Sequence, residues 1–273
     1  MSMERLTVAA VQMSSQADVT ENLRVVCKRI DEAVRQGARL VVLPENFAFM
    51  GSNDEKRAVA ESLEDPGPIL RALATAATQS KAWIIGGGMP TRSPDPLRPF
   101  NTCVAIAPDG SIAAHYHKLH LFDVELADGS VYRESKGTMP GEAKPPVIDI
   151  EGFRVGLSIC YDLRFPELYR ELTEQGAEVV VIPSAFAVPT GKDHWHVLLR
   201  ARAIEAQSYV IAPAQWGRHP RGRQTYGKSL IADPWGDVIA QASDGVGLVL
   251  AELNRAFLDE VRTRLPSLRH RRL

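Results

Sequence analysis

Residues 101–118 read NTCVAIAPDGSIAAHYHK. Two apolar, β-branched runs flank Pro108-Asp109-Gly110, residues that favour a tight turn, so the stretch predicts a β-hairpin. PVIDIEGFRVGLSIC (146–160) repeats the pattern around Glu151-Gly152. Outward from these hairpins the chain alternates strands and helices. LTVAAVQM (6–13) and ARLVVLPE (38–45) read as buried strands. Between them NLRVVCKRIDEAVRQG places Leu23, Val26, Cys27, Ile30 and Val34 at helical spacing, with Gly37 closing the helix. PILRALATAATQS (68–80) predicts a helix and KAWIIGGG (81–88) a strand ending in glycines. Beyond the hairpins, FPELYRELTEQG (165–176) predicts a helix and AEVVVIPSAF a strand. DHWHVLLRARAIEAQS (193–208) predicts a helix with Asp193 as N-cap. YVIAPAQ, KSLIADPWGDVIAQ and GLVLAEL predict strands, and NRAFLDEVRTRL a last helix before Pro266. Adjacent strands joined by turns too short to hold a helix argue against a barrel of eight βα units. They favour an α+β layered sandwich with mixed sheets.

Composition narrows the function classes. Of 273 residues, 45% are hydrophobic and 24% charged, as in an ordinary globular protein. The formal net charge of −1 argues against a whole-chain attraction to nucleic acid or to an anionic membrane and leaves a local patch open. The basic LRHRRL (268–273) reads as a solvated tail. No apolar stretch approaches the ~18 residues of a membrane span, and MSMERLTVAAVQM lacks a signal-peptide core. The three cysteines are odd in number and far apart, so no disulfide framework is implied and the expected address is the cytoplasm. With no repeat or linker, a single domain over 1–273 is expected, with its core at about 6–265.

Three strand ends carry candidate chemistry. Cys160, in GLSICYDLRFPEL, lies where a strand meets a helix. Such a turn presents a nucleophile beside helix N-terminal amides, which favour a thiolate and can bind an oxyanion. The flanking Asp162 and Arg164 point to a strand end near solvent, the alternative being a buried apolar cysteine, whereas Cys27 and Cys103 read as core residues. Glu45 follows a buried strand, where partial burial would raise its pKa toward that of a general base; the alternative is a strand-end charge reaching solvent. Lys118 ends IAAHYHK, placed either to stabilise an anion or simply in water. His115 and His117 share a strand face suited to zinc or iron, yet no further ligand cluster completes a site. There is no G-x-S-x-G, and Gly86-Gly87-Gly88 forms no phosphate-binding motif.

LVVLPEN (40–46), HYHKLHLFD (115–123) and SICYDLRFPEL (158–168) resemble, in order, the Glu, Lys and Cys motifs of the nitrilase superfamily of carbon–nitrogen hydrolases. The resemblance runs from AAVQM near residue 9 to GLVLAEL near residue 253. It implies a four-layer αββα sandwich, a homodimer, and no metal or organic cofactor. It makes Cys160 the nucleophile, Glu45 the general base and acid, and Lys118, with the backbone N–H of Tyr161, the oxyanion stabiliser. Glu134 in YRES matches a second glutamate that positions Lys118 or substrate. TGKDHWHVLLRARAIEAQSYVIAPAQWGRH (190–219) and TYGKSLIADPWG (225–236) look like the Nit branch, with Lys228 standing where His is expected. That branch implies an amidase that cleaves deaminated glutathione to 2-oxoglutarate and cysteinylglycine through a thioester. The substrate class is thus a small amide bearing carboxylates, for which Arg164 is the expected cation, the alternative being an arginine that pairs with Glu167 or another carboxylate, and Thr190, His194 and Gln215 are further pocket candidates. Arg200 and Arg202 read instead as residues for structural ion pairs at the dimer interface. The competing readings are an omega-amidase acting on 2-oxoglutaramate, another small aliphatic or carbamoyl amidase, and a non-catalytic binding partner.

Overall fold

The computed structural model describes residues 4–126 and 129–272. In chain order the strands are β1 (Arg5–Gln12), β2 (Leu40–Val42), β3 (Trp83–Thr91), β4 (Phe100–Ile106), β5 (Ile112–His117), β6 (Asp123–Glu125), β7 (Val131–Arg133) and β8 (Val147–Ile150). Then come β9 (Phe153–Leu157), β10 (Val179–Val181), β11 (Tyr209–Ala212), β12 (Trp216–Arg218), β13 (Gln224–Tyr226), β14 (Leu230–Ala232), β15 (Val238–Gln241) and β16 (Gly247–Asn254). The helices are α1 (Val19–Arg35), α2 (Asn53–Ala58), α3 (Pro68–Ser80), α4 (Pro166–Glu174), α5 (Val188–Ala206) and α6 (Arg255–Arg264).

Two mixed sheets form the centre, in the orders β16-β1-β2-β3-β4-β5 and β15-β14-β11-β10-β9-β8. Both predicted hairpins are present, as β4–β5 and β8–β9. Strand alternation explains the layering, because successive side chains face opposite ways. In β1, Val8 and Ala10 join the large core against the second sheet, while Ala9 and Val11 join a separate core under α1 and α3. On the far side Trp195, Leu199 and Ala203 of α5, with Leu168 and Leu172 of α4, cover the second sheet. The result is the expected αββα sandwich.

The sheets approach closely beside the strand ends that carry Glu45 and Cys160. A Cβ at Gly87 would lie 2.0 Å from the Leu43 carbonyl oxygen and 2.2 Å from Pro183 Cβ. Glycine is required there by space, not by a phosphate.

Several local expectations are corrected. The helix expected from Asp193 begins five residues earlier, at Val188, with Pro189 in its first turn; Asp193 is therefore an interior, exposed residue and not a cap. Cys27 is exposed, because α1 buries Asn22, Val26, Ile30 and Ala33, a stripe that leaves Cys27 to one side. The irregular stretch 119–145 contains the β6–β7 hairpin, although its residues 127 and 128, like Leu273 of the basic tail, lie outside the described residues. Helix α2 and the β12–β13 pair were not legible as elements.

Candidate active site

Glu45 and Lys118 meet because their strands run the same way. β2 and β5 end at one edge of the first sheet, and the antiparallel β4 begins there with Phe100 and Asn101. Lys118 Nζ donates to Glu45 Oε1 at 2.8 Å and to Glu134 Oε1 and Oε2 at 3.1 and 2.9 Å. Asn101 Nδ2 donates to Glu45 Oε1 at 2.9 Å and to Glu134 Oε1 at 3.5 Å. The Phe122 N–H donates to Glu134 Oε2 at 2.7 Å. Lys118 is only 2% exposed, so this buried cation depends on its two carboxylates.

Cys160 arrives from the other sheet. After β9 the backbone turns into a short 3-10 segment over Cys160–Arg164. Cys160 has φ 49°, in the left-handed region, and its N–H donates to the Pro183 carbonyl at 2.9 Å. A strained turn of this kind lifts the side chain out of the strand's line, here onto the wall of a cavity. Asp162 holds the turn. Its Oδ2 accepts from the Ile159 N–H at 2.9 Å and the Tyr116 hydroxyl at 2.8 Å. Its Oδ1 accepts from the His120 N–H at 3.2 Å and lies 2.7 Å from His120 Nδ1. Tyr116 and His120 flank Lys118, so one buried carboxylate ties the cysteine turn to the lysine's strand end. Arg202 closes the turn from α5, donating through Nε and Nη2 to the Leu163 carbonyl at 3.0 and 2.8 Å.

The charge states differ from those expected on the isolated residues. Burial pushes the Glu45 carboxyl up, but the charge and hydrogen bond of Lys118 outweigh it and hold the group below the usual carboxylate range. Burial, then the Glu45 charge, push the Cys160 thiol well above its ordinary range, against the opposing charge of Lys118. Lys118 is itself desolvated, yet Glu134 and Glu45 raise it well above the ordinary lysine value. The resting triad is thus a carboxylate, an ammonium and a neutral thiol. The thiolate favoured by helix amides is not the resting species, and Cys160 (8% exposed) and Asp162 are buried rather than near solvent.

A carbon–nitrogen hydrolase profile matches residues 7–263. The chain belongs to the carbon–nitrogen hydrolase family. A Synechocystis protein named deaminated glutathione amidase is 49% identical over 271 residues, spanning 98% of this chain and 99% of its own. The crystal structure of the Caenorhabditis elegans NitFhit protein superposes with a TM-score of 0.93 at 39% identity, covering 100% of this chain and 66% of that one. Saccharomyces cerevisiae Nit3, a member of branch 10 of the nitrilase superfamily, superposes with a TM-score of 0.88 at 31% identity over 97% and 96% of the two chains.

In this carbon–nitrogen hydrolase Glu45, Lys118, Glu134, Cys160, Tyr161, Arg164 and Thr190 all line one cavity of about 390 Å³. The Tyr161 N–H lies in the first turn of the 3-10 segment, beside Cys160. Arg164 makes no pair with Glu167. Its Nη1 lies 3.3 Å from His194 Nδ1, and its guanidinium sits over the Phe186 ring at 5.4 Å and the Tyr161 ring at 5.9 Å. His194 is exposed and off the cavity wall, reaching it only through Arg164, which corrects its expected place in the pocket. Gln215 is corrected more firmly. It is fully buried behind Glu45, its Nε2 donating to the Glu45 carbonyl at 3.0 Å and to Ser15 Oγ at 2.8 Å, so no donor faces the cavity. Lys228 also points elsewhere, pairing with Asp244 at 2.7 Å. Arg202 pairs with Glu205 at 2.6 Å, whereas Arg200 binds the Gly236 carbonyl instead of a carboxylate.

Among the described residues no group of three or more His, Cys, Asp or Glu is arranged to hold a metal. His117 bonds Thr102 Oγ1 at 2.8 Å and stacks on Phe100, and burial lowers its pKa to about 4. Sequence reasoning missed Asn101, Asp162 as a tether, Arg223 and Lys56. Asn101 opens the quoted hairpin, and an amide beside two carboxylate-bearing strand ends was the available signal. Lys56 sits in NDEKRA, a run of charges that reads only as surface.

Proposed function

We propose that this protein hydrolyses the amide bond of deaminated glutathione to 2-oxoglutarate and cysteinylglycine. The observation that carries the reading is the closed charge network of Glu45, Lys118 and Glu134 lining one cavity with Cys160. The amidase name of the Synechocystis relative supports the choice of substrate.

Glu45 takes the thiol proton as sulfur attacks the amide carbonyl, so no free thiolate has to persist. The negative charge that develops on the carbonyl oxygen is met by Lys118 Nζ and the Tyr161 N–H, with Glu134 holding Lys118 in place. The C–N bond breaks as Glu45 returns the proton to nitrogen, which leaves as the amino group of cysteinylglycine. Glu45 then deprotonates water, water attacks the thioester, and the thiol is restored with release of 2-oxoglutarate. Arg164, which lines the same cavity as Thr190, binds the α-keto carboxylate of the acyl half in this reading.

The test is 2-oxoglutarate release from deaminated glutathione and from 2-oxoglutaramate, side by side on purified protein. Preference for the first supports the proposal. Preference for the second makes the protein an omega-amidase, and release from neither withdraws the substrate.

The same reading includes a single domain over 1–273, a homodimer and a cytoplasmic address. One core shared by both sheets supports the first. Val197 and Ile204, seven residues apart on α5, with Trp235 and Ile239 present exposed apolar side chains suited to a second copy. Three free thiols fit a reducing compartment, and among the described residues no helix is long and apolar enough to cross a membrane.

A further inference from the structure

The cavity wall carries more positive charge than the reacting atoms require. Lys118 is neutralised by Glu45 and Glu134. Arg133 has Glu125 at 3.9 Å. Lys56, Arg164, Arg221 and Arg223 also line the cavity, and among the described residues none has a carboxylate within salt-bridge distance. Arg221, at the rim, lies in the field of Glu55. That leaves two cationic groups without a carboxylate partner. One is Arg164, in the cysteine turn and against Phe186. The other is Lys56 with Arg223.

Lys56 projects from α2 and is half-buried, donating from Nζ to Thr138 Oγ1 at 2.7 Å. That bond uses one of its three protons. Burial lowers its pKa to about 8; the charges of Glu134 and Glu45 act to raise it and those of Lys118 and Arg223 to lower it further. Arg223 donates to the Ala185 carbonyl at 3.1 Å, while its Nε is buried with no partner. Arg223 also acts on the Glu45 carboxylate. Two cations that repel each other in a half-buried wall lack the anion that would satisfy both.

The position of Glu45 decides which part of a substrate lies there. Glu45 delivers the proton to the leaving nitrogen, so the leaving group extends on its side of the reacting carbon. The charge of Arg223 acts on Glu45 and that of Glu45 on Lys56, whereas Arg164 belongs to the Cys160–Arg164 turn itself.

We infer that Lys56 and Arg223 form a second anion subsite, which binds the carboxylate at the far end of the departing amine. This rests on the amidase reading above and deepens it: the enzyme measures the leaving group, and an amine carrying a carboxylate is selected over ammonia. For deaminated glutathione the bound group is the glycine carboxylate of cysteinylglycine.

Lys56→Gln and Arg223→Gln test the subsite with deaminated glutathione and 2-oxoglutaramate as paired substrates. The expected result is a KM for deaminated glutathione raised roughly 10- to 100-fold, the worth of one charge-assisted hydrogen bond, with kcat changed far less. The loss in kcat/KM with 2-oxoglutaramate is expected to be at least tenfold smaller, and Lys56→Arg should restore much of the deaminated glutathione KM. Product inhibition gives a second readout: cysteinylglycine should inhibit wild type more strongly than its C-terminal amide does, and Lys56→Gln should erase that difference. Equal losses with both substrates, or no loss with either, overturn the subsite while leaving the amidase reading intact. Wild type that cleaves 2-oxoglutaramate but not deaminated glutathione overturns the subsite and the substrate together.

Discussion

Two lysines face the same cavity and live in opposite electrostatic conditions. Lys118, on the floor built by strand ends, is enclosed with two carboxylates and raised well above its ordinary pKa. Lys56, on the wall built by a short helix, has a threonine hydroxyl for a partner and is lowered to about 8. The difference separates groups the fold has already neutralised from groups that await a ligand's charge. Floor residues should therefore cost stability and turnover when changed, and wall residues should cost affinity alone.

The largest effect tests the nucleophile itself. Cys160→Ala should lower kcat by roughly 10⁴ or more with the fold retained, a loss typical of removing a nucleophile that works as part of a unit. Turnover near wild type would refute the assignment. Lys118→Met tests the enclosure itself. It leaves Glu45 and Glu134 buried without their cation, so ~3–5 kcal/mol of stability should go along with activity, read as a drop in Tm. Retained Tm would erase the distinction between floor and wall.

Asp162→Asn probes the tether between the cysteine turn and the Lys118 strand end. The amide cannot accept every hydrogen bond the carboxylate does, and roughly 1–3 kcal/mol of destabilisation is expected, with kcat falling and KM little changed. Arg164→Met, on the wall, should raise KM about tenfold and leave Tm within a degree or two, consistent with a lost charge-assisted contact to substrate. Unchanged affinity would remove Arg164 from the binding site.

The smallest effect is in the pH dependence of stability. Glu45 is depressed in the folded protein, so its contribution is present above the unfolded carboxylate value of ~4.3 and is lost as pH falls through the lower folded value. Lys118 is raised, so its contribution is present below the unfolded value of ~10.4 and is lost as pH rises through the higher folded one. Tm should be flat between these limits as far as this pair is concerned, and Glu45→Gln should soften the acid limb.

The hairpins and strand–helix units were legible because alternation and turn residues are local properties. So was the convergence of Glu45, Lys118 and Cys160, since each ends an apolar run. The protonation states were not. The pKa of Glu45 depends on a lysine far along the chain, and burial alone would have moved it the other way. Gln215 was misread for a similar reason: a polar residue near a site can serve the backbone of a catalytic residue without touching the cavity. Lys56 was invisible because nothing in NDEKRA distinguishes a cavity lysine from a surface one; only the approach of Thr138 does. Asp193 looked like a cap because the helix's true start, at Val188 and Pro189, carries no side-chain cap at all.

The close approach of the sheets at Gly87 has a kinetic consequence. Glu45 and Lys118 stand on one sheet and Cys160 on the other, so neither half contains a working centre. Catalysis exists only once residues distant in sequence have closed together, the slowest kind of contact to form. During refolding, recovery of secondary structure should therefore run ahead of recovery of turnover. Catalytic activity is in this sense a clock for sheet docking, and a methyl group at position 87 would stop it.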